Sequence, residues 1–298
     1  MNVYKSSMDR LGEKYPDLDP GLLKTLKGSV VLIKYGGNAM TEESARENVY
    51  DQVAALQGLG LRIVIVHGGG PVIKSLLESV GIESEFIGGH RKTDKTAMKY
   101  VEMALSGQVN GEIVKGLNSR GVKAVGLSGK DGGMVRAGRR FHYMERAGRK
   151  EQVDLGFVGD VVSIDTDLIS TLLTHEYVPV LAPIGTGIDQ MDYNINADMF
   201  AGHMAGALQA ASYISMTDVD GLREKADDPG SLLKKVDAGQ LEKHIGRSIL
   251  GGMIPKVESC LIALEKGVKE AHIVNGMKAD TLIIKLLTNR QNGTTIEA

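Results

Sequence analysis

The sequence predicts an α/β protein whose largely parallel sheet is covered by helices on both faces. Three observations carry this expectation. Runs such as VVLIKY (30–35), RIVIVH (62–67) and YVPVL (177–181) are apolar over most of their length and do not alternate, as expected of strands buried on both sides. Segments of helical periodicity separate them, which suits crossover helices between parallel strands. Glycine makes up 38 of 298 residues, well above the usual ~7%, yet there are only 7 prolines and no low-complexity run. That glycine belongs in turns where backbone must come close to something.

The elements follow in order. Residues 1–27 read as an appendage, with Asp19-Pro20 as N-cap and first turn of a short helix. The main body starts with the strand 30–35, which ends in Gly36-Gly37. A polar helix follows over about 42–58, then the strand 62–67 running into Gly68–Gly70. Pro71 opens a helix whose apolar face carries Val72, Leu76 and Leu77. Residues 93–121 read as helical with a break at Ser106-Gly107, and KAVGLSG (123–129) as a strand into a glycine turn. Residues 134–163 read as a hairpin-rich insert. Asp167–His175 reads as a helix, 177–185 as a strand into a loop, and Asn196–Ala210 as a helix. Then come a strand from Ser212 into the turn at Gly221, a polar helix over Leu232–His244 and a helix over Lys256–Lys266. The strand EAHIVNG (270–276) and a helix over Asp280–Leu287 complete the pattern.

Composition narrows the function classes. Lys plus Arg is 35 and Asp plus Glu is 37, a net charge of −2, which speaks against nucleic acid or an anionic membrane surface as partner. A single cysteine, Cys260, allows no internal disulfide and no cysteine-rich zinc site. The expected setting is a reducing cytoplasm. No secretory signal and no membrane-spanning run is read. The seven histidines show no metal spacing such as H-E-x-x-H, so no metal site is assigned.

In parallel sheets ligands bind beyond the carboxyl ends of the strands. Those ends here are KYGGN, VHGGGP, GLSGKDGG, APIGTG, MTDVDG and IVNG, so much of the glycine gathers on one rim. Glycine turns followed by helix starts offer backbone N–H groups to anions; a simple tight turn is the plainer reading of HGGG alone. The Walker pattern is missing, because Ala124 stands where its first glycine belongs and Asp131 follows Gly129-Lys130. No G-x-G-x-x-G or G-x-S-x-G is present either. Lys34 ends an apolar strand, where an ammonium needs a partner or must snorkel to an edge. Lys256 sits at a helix start, the wrong end of the dipole for a cation, unless it serves an anion or is merely exposed. Asp198 suits a first helical turn on its own account. Arg91 is a surface arginine or a carboxylate clamp, and His67 is read as a packed core histidine. Two rim lysines, an acid and an arginine without a Walker loop suit phosphoryl transfer to a small carboxylate.

At these residues the chain resembles the N-acetylglutamate kinases of the amino-acid kinase family. The resemblance rests on VVLIKYGGNAM, VIVHGGGPVI, GLSGKDGG, DLGFVGDV, PVLAPIG, YNINAD, MTDVDG and GGMIPKVESC in that order, and spans about Val30 to Ile296. It implies a three-layer α/β/α sandwich with an open sheet over 28–298. A lobe of about 28–190 would hold the acyl amino acid, and one of about 191–298 would hold ATP with its Mg2+. It implies catalytic roles for Lys34, Lys256 and Asp198, substrate contacts at Gly69, Gly70, Arg91 and Asn194, and nucleotide contacts at Gly36, Gly37, Thr217, Asp218, Gly221, Ser248, Ile249 and Leu250. The substrate would be N-acetyl-L-glutamate and the assembly a homodimer or larger homo-oligomer.

Two departures are visible. His90 and Lys92 flank Arg91 where relatives carry small or apolar residues, which touches acyl and chain-length specificity. His272 and Gly293 match an arginine-feedback site, but Lys285 replaces its glutamate and would repel a guanidinium. The alternatives are a kinase for carrier-bound α-aminoadipate or glutamate and a non-catalytic sensor of the same fold. The basic run 136–150 would serve an acidic carrier protein, or be a solvated hairpin. A signalling-protein partner is not assigned.

Overall fold

A computed structural model describes residues 11–146, 149–225, 228–241, 244–245 and 249–298. Helix α1 (Pro20–Leu26) is capped by the Asp19 carboxylate, which accepts from the N–H groups of Gly21 and Leu22. Strand β1 (Val30–Tyr35), α2 (Glu43–Gly58), β2 (Arg62–His67) and α3 (Gly70–Ser79) follow. A small ribbon, β3 (Phe86–Ile87) with β4 (His90–Arg91), leads to α4 (Lys95–Glu102) and α5 (Asn110–Asn118). Next come β5 (Ala124–Ser128), β6 (Val135–Arg146), β7 (Arg149–Ile164), α6 (Asp167–Thr174), β8 (Val178–Ala182), β9 (Ile184–Gly187) and β10 (Asp192–Ile195). The remainder is α7 (Ala197–Ala207), β11 (Ser212–Thr217), β12 (Lys235–Asp237), the short α8 (Ala238–Leu241), α9 (Met253–Glu265), β13 (Glu270–Asn275), α10 (Thr281–Leu287) and β14 (Thr294–Glu297).

Eight strands form the main sheet in the order β12-β14-β13-β11-β1-β2-β8-β5. Pairing is parallel except where β14 runs against β13. Each face has its own core. Leu32, Val64, Val66 and Tyr213 point into one, while Val31, Ile33, Ile63 and Ile65 point into the other. Strands buried on both sides have no polar face, so their sequences run apolar without alternation.

The structure departs from the sequence reading in four places. Residues 93–121 do not break at Ser106-Gly107. Met103–Val109 forms a π-helical stretch that joins α4 to α5, the Asn110 N–H reaching back to the Leu105 carbonyl. The insert is a long hairpin, β6 with β7, which closes into a four-stranded barrel with β9 and β10. Residues 184–187 are therefore a strand, where a loop was expected. Residues 232–241 hold β12 and α8 in place of one polar helix, because Val236 is drawn to the sheet edge beside Ile296. The α9 helix begins at Met253, three residues before Lys256. Residues 11–27 lie against α10, with Tyr15 and Leu23 buried and the Asp19 N–H donating to Leu287.

Candidate active site

Parallel β–α connections deliver glycine loops and helix starts to the carboxyl rim of the sheet. The loops after β1 and β2 lie side by side there: a side chain on Gly68 would come 3.9 Å from the Gly36 Cα. Gly37 takes a positive φ of 71°, which favours glycine. Gly37, Gly69 and Gly70 border one small pocket. Gly69 is the N-cap of α3, so this end of the helix presents N–H groups without intrahelical acceptors.

Lys34 lies on the face of β1 that meets α7, two residues from buried Leu32. Its Nζ is 2.9 Å from Asp198 Oδ1, and both side chains are under a tenth exposed. Lys256 reaches the same carboxylate from α9, 3.4 Å from Oδ2. Ser215, the register partner of Lys34 on β11, donates to Asp198 Oδ1 at 3.3 Å. Asn196 caps α7 by accepting from the N–H groups of Asp198 and Met199, which fixes where the carboxylate starts. Helices α7 and α9 approach closely at Gly202, where a Cβ would stand 2.4 Å from the Ser259 carbonyl. That approach brings Lys256 to a carboxylate 58 positions away in sequence, which it shares with Lys34.

The electrostatics follow from burial. Burial alone would raise the Asp198 carboxyl, but Lys34 and Lys256 together hold it below its usual value. Burial pushes the Lys34 ammonium down to about 8 against the opposing pull of Asp198. Two ammonium groups on one carboxylate leave one positive charge without a counter-ion, an arrangement prepared for an anion.

Asp198 forms part of the wall of a cleft of about 500 Å³ that also contains Gly69, Gly70, His90, Arg91 and Asn194. Arg91 is 8% exposed. Its guanidinium lies 4.6 Å over the Phe86 ring and donates to the Ser84 hydroxyl and, at 3.3 Å, to the Gly70 carbonyl. Desolvation lowers it from its ordinary value, yet a guanidinium remains cationic. Of the two residues flanking it, His90 borders the cleft with Arg140, Asp160 and His142 near its ring, whereas Lys92 pairs with Glu85 at 2.8 Å and stands outside it.

A second, apolar pocket of about 160 Å³ lies along the same rim, between Gly221, Ile249, Leu250 and Met253. Thr217 and Asp218 lead into its loop, and Asn38 donates to Asp218 at 3.3 Å. Ser248 lies outside the described residues. The sequence reading missed Val219, Leu222 and Met253, which form much of this pocket. Apolar residues in turns and at a helix start carry no signal of their own. It also missed Lys130, whose ammonium joins Glu102 and Asp192 and so ties β10, with Asn194, to the helix before the π turn.

Within the basic hairpin Arg139 pairs with Asp154 and Arg140 with Asp160, each at 2.5 Å. His272 and Lys285 converge on Thr295, the histidine at 3.3 Å. Among the described residues no helix is long and apolar enough to cross a membrane.

The sequence profile of the amino acid kinase family matches residues 29–275. An acetylglutamate kinase of Symbiobacterium thermophilum is 45% identical over 275 residues, covering 92% of this chain and 93% of that protein. Another, of Pelobacter propionicus, is 44% identical over 294 residues, covering 97% and 100%. Among solved structures, N-acetylglutamate synthase from Neisseria gonorrhoeae, complexed with coenzyme A and N-acetyl-glutamate, superposes with a TM-score of 0.79 at 21% identity. That match covers 93% of this chain and 61% of the synthase chain, and it speaks for the fold alone.

Proposed function

The chain belongs to the amino acid kinase family, and from that premise we propose that it phosphorylates the side-chain carboxylate of N-acetyl-L-glutamate with ATP. The products are N-acetyl-L-glutamyl 5-phosphate and ADP, in the second step of arginine biosynthesis. The observation that carries this reading is the buried Lys34–Asp198–Lys256 arrangement at the wall of the cleft that holds Arg91.

The apolar pocket at Ile249 and Met253 fits a flat purine ring, and the N–H groups at Gly37 and Gly69–Gly70 fit phosphate oxygens. ATP supplies the phosphoryl group when bound, with Mg2+ carried on its phosphates. Arg91 holds the α-carboxylate of the acyl amino acid, and Asn194 and Gly70 border the rest of it. The reacting carboxylate is already ionised near neutral pH, so no general base is required. Lys34 and Lys256 neutralise charge on the phosphoryl group as it moves between two oxygens. Asp198 holds both ammonium groups in place. In this reading residues 28–190 carry the acyl amino acid and 191–298 the nucleotide.

The same reading makes the protein a cytoplasmic homodimer or larger homo-oligomer. With Lys285 beside His272, it expects arginine to inhibit weakly or not at all; ordinary inhibition at sub-millimolar arginine would refute that. Pairing of Arg139 and Arg140 within the hairpin lowers the charge that it offers an acidic carrier protein.

The test is ATP-dependent acyl-hydroxamate formation with hydroxylamine as trap. N-acetylglutamate, glutamate and α-aminoadipate are compared, with Lys256→Ala as control. Product from N-acetylglutamate alone, lost in the variant, is expected. No product from any of the three overturns the reading.

A further inference from the structure

His67 ends β2 fully buried, immediately before Gly68–Gly70, and the reaction outlined above leaves it without a part. Its Nδ1 lies 2.8 Å from the carbonyl oxygen of Gly68. A carbonyl oxygen only accepts, so Nδ1 carries a proton. Its Nε2 lies 3.1 Å from Asn110 Nδ2. The same Asn110 atom stands 2.9 Å from the Val180 carbonyl and 3.3 Å from that of Leu127. Two carbonyl acceptors identify it as the amide NH2, which only donates, so Nε2 is bare. The two sides of the ring thus select the same neutral tautomer. Burial draws the imidazole down to about 4, which keeps it neutral at ordinary pH.

The tautomer matters because of the next peptide. In a trans peptide the carbonyl and the following N–H point in opposite directions. With the Gly68 carbonyl held to the ring, the Gly69 N–H is held away from it, at the start of α3 where it has no helical acceptor.

Asn110 is itself placed with care. It follows the π-helical stretch, whose wide turn holds an extra residue and sets which way the next side chain faces. Leu105 and Val109 of that stretch press on Gly69, where a Cβ would come 2.6 Å and 3.3 Å from them. On β5 a Cβ at Gly126 would come 1.8 Å from Asn110 Oδ1, so the amide fits only against glycine.

We propose that Asn110 and His67 form a positioning pair that fixes the Gly68–Gly69 peptide and so aims the Gly69 N–H at the transferring phosphoryl group. This rests on the kinase reading above. Neither residue touches substrate; both act through one backbone amide.

The experiment combines nitrogen NMR and kinetics on the full chain. With 15N-labelled histidine, the His67 ring nitrogens are expected to report the Nδ1–H tautomer from pH 6 to 8. Asn110→Leu and Gly126→Ala each remove the constraint on Nε2 and are expected to weaken that signature to a mixture of tautomers. Their kcat falls about 10- to 100-fold with the KM of both substrates nearly unchanged, because a contact made only in the transition state is misplaced. His67→Asn, which keeps a donor near the Nδ1 position, retains more activity than His67→Leu; thermal melts identify any variant that fails to fold. An Nε2–H or doubly protonated ring in the wild type overturns the pair. So does a variant that weakens the signature in this way and keeps wild-type kcat. Absence of kinase activity in the wild type overturns the kinase reading, and the proposal with it, even where the tautomer is as expected.

Discussion

The central sheet has a cation-bearing cleft at each end, and the two are built differently. At the amino ends of the strands a cleft of about 300 Å³ is bordered by Lys27, Arg62 and Tyr177. At the carboxyl ends the larger cleft holds Arg91, with Lys34 and Lys256 behind Asp198. Helices α2 and α6 reach the first rim with their carboxyl termini, at Gly58 and Thr174. Helices α3 and α7 leave the second with their amino termini, at Gly70 and Ala197. Helix carboxyl ends attract cations, so Arg62 and Lys27 are at home there, and both are exposed. At the other rim the dipoles repel cations, yet Lys34 and Arg91 are buried and Lys256 is largely so. Asp198 holds Lys34 and Lys256 there, and the Ser84 hydroxyl and Gly70 carbonyl hold Arg91. Positive charge in a cleft therefore says little; positive charge held against burial and dipoles marks a site.

The comparison is tested hardest at Asp198. Asp198→Ala leaves Lys34 buried without a partner, which is expected to cost about 3–5 kcal/mol in urea unfolding. The same change is expected to lower kcat by about 10³ or more through misplaced lysines. A variant of wild-type stability and rate would break the picture.

Arg91→Leu comes next. Loss of a charge-assisted clamp is expected to raise the KM for the acyl amino acid about 10- to 100-fold, with the KM for ATP unmoved. An equal rise in both would remove Arg91 from the substrate cleft.

Acid stability sharpens the role of buried neutral groups. His67 is drawn down to about 4 and His272 to about 3, both chiefly by burial. Below the unfolded value of about 6.5 only the unfolded chain takes up these protons. Stability is therefore lost as pH falls from about 6.5 towards the folded values, by about 1.4 kcal/mol per pH unit for each ring. Melting temperatures that stay flat between pH 7 and 5 contradict this.

Lys34 supplies an alkaline limb. Its ammonium, at about 8 in the free protein, must be protonated to neutralise phosphoryl charge. Activity is present below that value and lost above it, so kcat/KM is expected to fall as pH rises through about 8. Bound nucleotide favours the charged form, so the limb in kcat lies higher. Identical limbs in both profiles would detach it from Lys34. The smallest effect belongs to the opposite rim: Arg62→Ala is expected to change stability by less than about 0.5 kcal/mol and leave kcat unaltered.

Much of the fold was legible in local pattern. The strands 30–35, 62–67, 212–217 and 270–275 stand where apolar runs without alternation put them. Asp19 and Pro20 mark a helix start that the structure keeps. The barrel was not legible, because β9 and β10 are four residues each, pair locally with one another, and close only against β6 and β7 earlier in the chain. Residues 232–241 were misread for a related reason. Their polar pattern suits a helix, but one buried valine on an available sheet edge decides otherwise.

By itself the sequence pointed to the layered class and the glycine-rich rim, since burial pattern is a local property, and it raised Lys34, Asp198, Lys256 and Arg91 as candidates whose roles rested on the family resemblance. Only the tertiary structure decided that the two lysines share one carboxylate, that Lys92 pairs with Glu85 outside the cleft while His90 borders it, and that Asn110 meets the ring of His67. Each of these depends on distances of a few ångströms between segments far apart in the chain, and packing, not local preference, fixes such distances.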